Sequence, residues 1–128
     1  MRYPIKISSA WQPMFAIFGF SANSSYVEVD DGELTLCFGT AKETVPLENV
    51  ANVVQRRWPL FFGLGPKLGP DGGVAYVGST DGVLQIWFKE PIAMNVWGPF
   101  RHSKAKCVTI SLHDPAGFKR ALEEKLGR

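Results

Sequence analysis

The residues with side chains suited to chemistry are few and badly spaced for it. His102 and His113 are the only histidines, and neither sits in a motif that pairs it with an activated Ser or Cys. Both are expected at the surface. No C-x-x-C or H-E-x-x-H spacing occurs, so no metal site is expected. Gly63 to Gly69 is glycine-rich, but it lacks the G-x-x-x-x-G-K-[ST] order of a phosphate cradle. Pro66 would also remove one of the N–H donors such a cradle needs. Asp30 and Asp31 are adjacent, so in an extended chain they point apart, which suits a solvated turn better than an acid/base pair. No catalytic residue, cofactor or metal is therefore assigned, and the chain is read as a non-enzyme.

Two stretches carry binding chemistry instead. Arg56, Arg57, Trp58, Phe61 and Phe62 place cations beside aromatic rings. That mixture suits an anionic membrane surface, where rings sit at headgroup depth and Arg meets lipid phosphate. The same rings would serve equally as core, folded back over the opening of a barrel, and this reading is ranked first. The second stretch runs from Trp97 to Lys106, where aromatics precede Arg101, His102, Lys104 and Lys106. It could face an acidic partner or an anionic ligand, although charge runs are more often plain solvated surface.

The 128 residues amount to one domain, long enough to bury roughly two-thirds of the surface of the unfolded chain. A hydrophobic content of 45% argues for a folded core rather than disorder. The net charge is +2, with three basic and six acidic residues in 1–50 and eleven and six in 51–128. That asymmetry is too small for a nucleic-acid binder. Cys37 and Cys107 are too few for a disulfide scaffold and are expected as buried reduced thiols within strands. Gln12 and Pro13 interrupt the apolar run Trp11–Phe20, so no secretion signal is read, and no run reaches the roughly 20 apolar residues of a membrane span. A cytoplasmic protein is expected.

The elements that must position these residues are mostly strands. Tyr3–Ser8 fits a first strand with Ile5 and Ile7 on one face, followed by an irregular or briefly helical segment to residue 24. Val27 and Val29, then Leu34, Leu36 and Phe38, alternate with polar residues around Asp31-Gly32, a strong hairpin signal. Lys42–Val45 and Val50–Gln55 follow as strands, separated by a turn or single helical turn at 46–49. Arg56–Asp71 is expected as a loop because of its glycines and prolines. Gly73–Gly78 and Gly82–Lys89 are expected as a second hairpin around Asp81-Gly82. Pro91–Phe100 is read as an aromatic connection, and the basic run leads into a last strand at Val108–Leu112. Asp114 then caps a helix with Pro115 at its first position, and Phe118, Ala121, Leu122 and Leu126 form one apolar stripe. The expectation is a mainly β, antiparallel barrel or sandwich of about seven strands, closed by one C-terminal helix over 114–126.

Seven strands and a terminal helix resemble the pleckstrin-homology-like fold. The segments Tyr26–Gly39 (YVEVDDGELTLCFG), Pro46–Val53 (PLENVANV), Val83–Pro91, Arg101-His102 and Val108–Leu112 are similar to a group of short bacterial proteins, common in actinobacteria, to which no activity attaches. The resemblance spans most of residues 26–126 and implies a fold rather than a chemistry. Phosphoinositide-binding members of the wider fold carry basic residues around the first hairpin. Here that hairpin holds Glu28, Asp30, Asp31 and Glu33, which would repel a phosphate. The function read from the sequence is a binding module for a protein partner or a second copy of itself, through an exposed strand edge or the aromatic loops. Anionic-membrane attachment through Arg56–Phe62 and binding of a small apolar ligand are the alternatives.

Overall fold

The alternation around Asp31-Gly32 produces two paired strands, β2 (Tyr26–Val29) and β3 (Glu33–Phe38). In this computed structural model, which describes residues 2–7, 12–17, 25–38, 41–58, 65–68, 72–97 and 100–127, Val27, Val29, Leu34, Leu36 and Phe38 are buried and the residues between them in each strand are half-buried. β1 (Arg2–Pro4) and β4 (Ala41–Pro46) flank the pair, giving a four-stranded antiparallel sheet in the order β1-β2-β3-β4. β1 is shorter than expected. Beyond Pro4 the chain continues as isolated bridges, Ile5 to Leu112 and Ile7 to Gly78, with both isoleucines buried as the sequence implied. A six-residue helix α1 (Gln12–Ile17) lies within the segment expected to be irregular or briefly helical.

A single 3-10 turn at Leu47–Asn49 carries the chain from this sheet into a second one. That sheet contains β5 (Val50–Gln55), β6 (Gly65–Leu68), β7 (Val74–Val77), β8 (Val83–Trp97) and β9 (Phe100–Ser111), in the order β5-β8-β9-β7-β6. Side chains from both sheets meet in one core. Val27, Leu34, Leu36 and Phe38 face Tyr76, Leu84, Ile86, Val108 and Ile110 there. The two sheets are not closed into a barrel, and nine described strands replace the expected seven.

Three expectations are corrected in the second sheet. The first concerns the hairpin expected around Asp81-Gly82. β9 lies between β7 and β8, pairing parallel with β7 (Val74↔Val108, Tyr76↔Ile110) and antiparallel with β8. The sheet is therefore mixed rather than all-antiparallel. Both faces of β7 are covered: Val74 and Tyr76 enter the main core, while Ala75 and Val77 pack with Trp58 and Val83 in a smaller cluster. A strand buried on both sides tolerates an unbroken apolar run, and Val-Ala-Tyr-Val is one. The second correction is β6, which occupies part of the expected loop 56–71. Pro66 is tolerated there because β6 is a sheet edge and its outer side needs no donor.

The third correction is the largest in length. β8 and β9 form one long hairpin, so Pro91–Phe100 and the basic run are strand and not connection. Pro91 falls where the register between Trp87 and Ile92 shifts, a bulge that spares it from the ladder. Nearby, the Asn49 side chain fastens the irregular backbone by donating to the Glu90 carbonyl (3.1 Å) and accepting from the Glu90 N–H (3.0 Å).

The closing helix agrees with the sequence. α2 (Pro115–Lys125) starts at Asp114, whose Oδ1 accepts from the Gly117 N–H at 3.1 Å. Phe118 and Leu122 are fully buried, and Phe118 meets Tyr3 edge-on with ring centroids 5.3 Å apart. Its stripe covers the core beside β5, which places the helix next to one edge of the second sheet.

Candidate functional site

Of the aromatic loop residues, Trp58 is 3% exposed, packed on Ala75, Val77 and Val83. Its ring belongs to the interior, as the core reading of this stretch had it. Arg57 is exposed and Arg56 half-buried, whereas Phe61 and Phe62 lie outside the described residues. The basic stretch lies along β9. Arg101 forms an ion pair with Glu43 of β4 at 3.3 Å, across the gap between the sheets. Glu43 also accepts from the Asn95 N–H (2.7 Å), and the Asn95 carbonyl accepts from the buried Tyr76 hydroxyl. Burial, and secondarily the Glu43 charge, push the Tyr76 phenol well above its ordinary pKa and keep it a donor. This cluster fastens the hairpin to β4. His102 Nδ1 accepts from the Lys104 N–H at 3.1 Å, and the Lys106 stem lies over Gly72. Lys104 and Lys106 are exposed, as is His113, but His102 is only partly so. Among the described residues no group of three His, Cys, Asp or Glu is placed to hold a metal. Cys107 is buried, Cys37 half-buried, and neither forms a disulfide.

The surface that residue types alone did not reveal is the edge of β5. A sheet edge presents main-chain donors and acceptors to any passing strand, and proteins usually guard it with charge, proline or brevity. The other edges follow that rule. β1 has three residues including Arg2 and Pro4, β4 has Lys42, Glu43 and Pro46, and β6 has Pro66 and Lys67. β5 is six residues, Val-Ala-Asn-Val-Val-Gln, with no charge and no proline.

Its polarity follows from one bond. Arg56 donates its N–H to the Val83 carbonyl (3.0 Å), and Val54 pairs with Gln85. In an antiparallel ladder successive residues turn their main-chain groups to opposite sides, so Val53 and Gln55 direct theirs away from β8. The Val53 side chain enters the core, and Val54 is 38% exposed, an uncommon degree for a strand valine here. α2 runs beside this edge. Between them lies an open groove of about 600 Å³, floored by Val53, Val54 and Gln55 and walled by Ala116, Lys119, Arg120 and Glu123. At its end a second concavity of about 330 Å³ adds Arg56, Arg57 and Pro115. This arrangement can accept an extended chain by main-chain pairing, with side chains sorted by the helix wall.

No protein-family model, curated protein or solved structure matches the chain. Among the described residues no helix is long and apolar enough to cross a membrane.

Proposed function

We propose that the chain is a non-enzymatic protein-binding module that takes up an extended segment of a partner as an added strand on β5. The observation that carries this reading is the β5 edge, which has no charge and no proline, with Val53 and Gln55 turning main-chain groups away from β8 beside an open groove. The scaffold is proposed to be of the pleckstrin-homology-like type. An antiparallel first sheet and a capped terminal helix beside an open strand support that assignment, although the parallel β7–β9 pair is a departure from an all-antiparallel pattern. Two cysteines outside any disulfide fit a reducing compartment such as the cytoplasm. Attachment to lipid through the Arg56–Phe62 stretch is disfavoured at Trp58, whose ring would have to leave the interior.

The test is Gln55→Pro. Proline removes an N–H that points away from β8 and sets its ring on the docking side, while leaving the β8 ladder intact. Short peptides selected from a displayed library against the full chain should lose binding to this variant, with its thermal midpoint little changed. Selected peptides that bind the variant as tightly as the parent would refute strand addition. Pairing of two copies through the same edge would appear instead as a concentration-dependent mass in sedimentation that Gln55→Pro abolishes.

A further inference from the structure

The groove beside β5 has a charge of its own. Its floor is neutral, since β5 contributes Val53, Val54 and Gln55. Its helix wall presents Lys119, Arg120 and Glu123, and its end presents Arg56 and Arg57. Lys119 and Glu123 form an i,i+4 pair at 3.4 Å, which satisfies the groove's carboxylate within the helix itself. Asp81 borders the Arg56–Arg57 end but pairs with Lys6 at 3.6 Å. Among the described residues the rim around the outward main-chain groups is thus net positive through Arg57 and Arg120, in a protein whose first 50 residues are net negative.

We infer that the strand taken up on β5 is an acidic segment of a partner protein. The inference rests on the strand-addition reading above and adds the partner's chemistry to it. An added strand advances about 3.3 Å per residue and turns alternate side chains to one face. Carboxylates at alternate positions therefore line up along the α2 wall, where Arg120 stands, and continue to Arg57 at the end of the strand. A lipid surface or a nucleic acid would satisfy the same cations but offers no ladder of N–H and C=O groups to Val53 and Gln55. The main-chain edge thus selects a polypeptide, and the rim selects its sign. Because Arg57 and Arg120 are solvent-exposed, each contact is weak and screened over a distance of about 8 Å at physiological salt. The gain comes from several carboxylates held in register, and is expected as sensitivity to salt and as a faster association rate.

The experiment uses the full chain and the displayed peptide library. Recovered binders should be enriched in Asp and Glu at alternate positions. Replacing those residues by Asn and Gln should weaken binding about tenfold at low salt and much less at high salt. The double variant Arg57→Glu, Arg120→Glu should lose this difference between acidic and amide peptides, because both residues are exposed and the fold does not rely on them. Binders that are not acidic, yet still fail on Gln55→Pro, overturn the acidic partner while leaving strand addition standing. Acidic binders indifferent to Gln55→Pro overturn both. Phosphatidylserine vesicles that bind the chain and its Gln55→Pro variant equally, and displace the peptides, would assign the cations to a membrane instead.

Discussion

Of the three Asp-Gly dipeptides in this chain, Asp31-Gly32 and Asp81-Gly82 do different work. Asp31-Gly32 joins strands that are neighbours in the sheet, whereas Asp81-Gly82 joins β7 to β8 across the end of β9. At the first turn Asp30 Oδ1 accepts from the N–H of Gly32 (3.3 Å) and Glu33 (3.1 Å), so the geometry is held by a side chain. Gly32 does not adopt a left-handed φ, and a Cβ there would meet nothing within 4 Å. At the second turn Gly82 sits at φ +68°, its carbonyl accepts from the Leu112 N–H (2.9 Å), and a Cβ would strike the Leu112 carbonyl. The dipeptide announces a reversal in both places. What distinguishes them is whether another strand's backbone passes against the turn.

Substituting the two glycines tests that contrast most strongly. Gly82→Ala should destabilise the fold by about 2–4 kcal/mol, combining left-handed strain with a backbone clash, as measured by urea denaturation. A loss below about 0.5 kcal/mol would show that the crossover over Leu112 is not tight. Ser111 supports the same crossover: its hydroxyl accepts from the Gly78 N–H (2.9 Å) and donates to the Lys6 carbonyl (2.8 Å). Ser111→Ala leaves both groups unpaired inside the protein, and a cost of about 1–3 kcal/mol is expected in a thermal melt. A melting profile identical to the parent would remove Ser111 from that role.

The first turn should respond to its aspartate more than to its glycine. Asp30→Ala should cost about 1 kcal/mol by loss of the double acceptor, against no more than about 0.5 kcal/mol for Asp81→Ala. Equal costs in parallel chemical denaturation would erase the distinction. Gly32→Ala should be neutral or stabilise by up to about 1 kcal/mol, because the backbone there is one alanine can adopt. A destabilisation comparable to that of Gly82→Ala would equate the two turns after all.

The smallest effect is electrostatic. Lys125 at the end of α2 reaches Asp31 at 2.7 Å, and its hydrogen bond, then its charge, hold the Asp31 carboxyl below the usual carboxylate range. The same bond raises Lys125 above its ordinary value. The Asp31 contribution is present above the unfolded carboxylate pKa and fades as pH falls through the lowered folded value. The Lys125 contribution is present below the unfolded amine pKa and fades as pH rises through the raised folded value. The bridge thus persists across neutral pH, and being fully exposed it adds little stability. Carboxyl NMR titration should show the Asp31 midpoint returning to the usual range in Lys125→Met. An unmoved midpoint would mean the two side chains do not meet in solution.

The same division explains what was legible in the chain. β2 and β3 stand where alternation placed them, β5 stands where a strand was expected, and α2 starts at the expected cap because Asp114, Pro115 and the Phe118–Leu122 stripe lie within a few residues of one another. β6 and the outer half of the β8–β9 hairpin were hidden by Pro66, Pro91 and the Arg101–Lys106 charges, which punctuate a chain except at an edge or a bulge. Arg101 pairs with Glu43, a residue 58 positions earlier in the sequence, and no local spacing announces that partnership. The groove was not visible at all, since nothing in Val-Ala-Asn-Val-Val-Gln says which of its sides turns away from β8.

The sequence by itself determined where the chain reverses, which side chains seek the interior, and how the last helix begins, because each depends on φ preferences, local hydrogen bonds or a short repeat. Only the tertiary structure decided that β9 slides between β7 and β8, that the second sheet is buried on both faces at its centre, and that β5 is left at the rim beside α2. Strand partnership is a choice among segments far apart in sequence, made by the summed burial of a whole sheet, and no single segment carries enough of that sum to announce it.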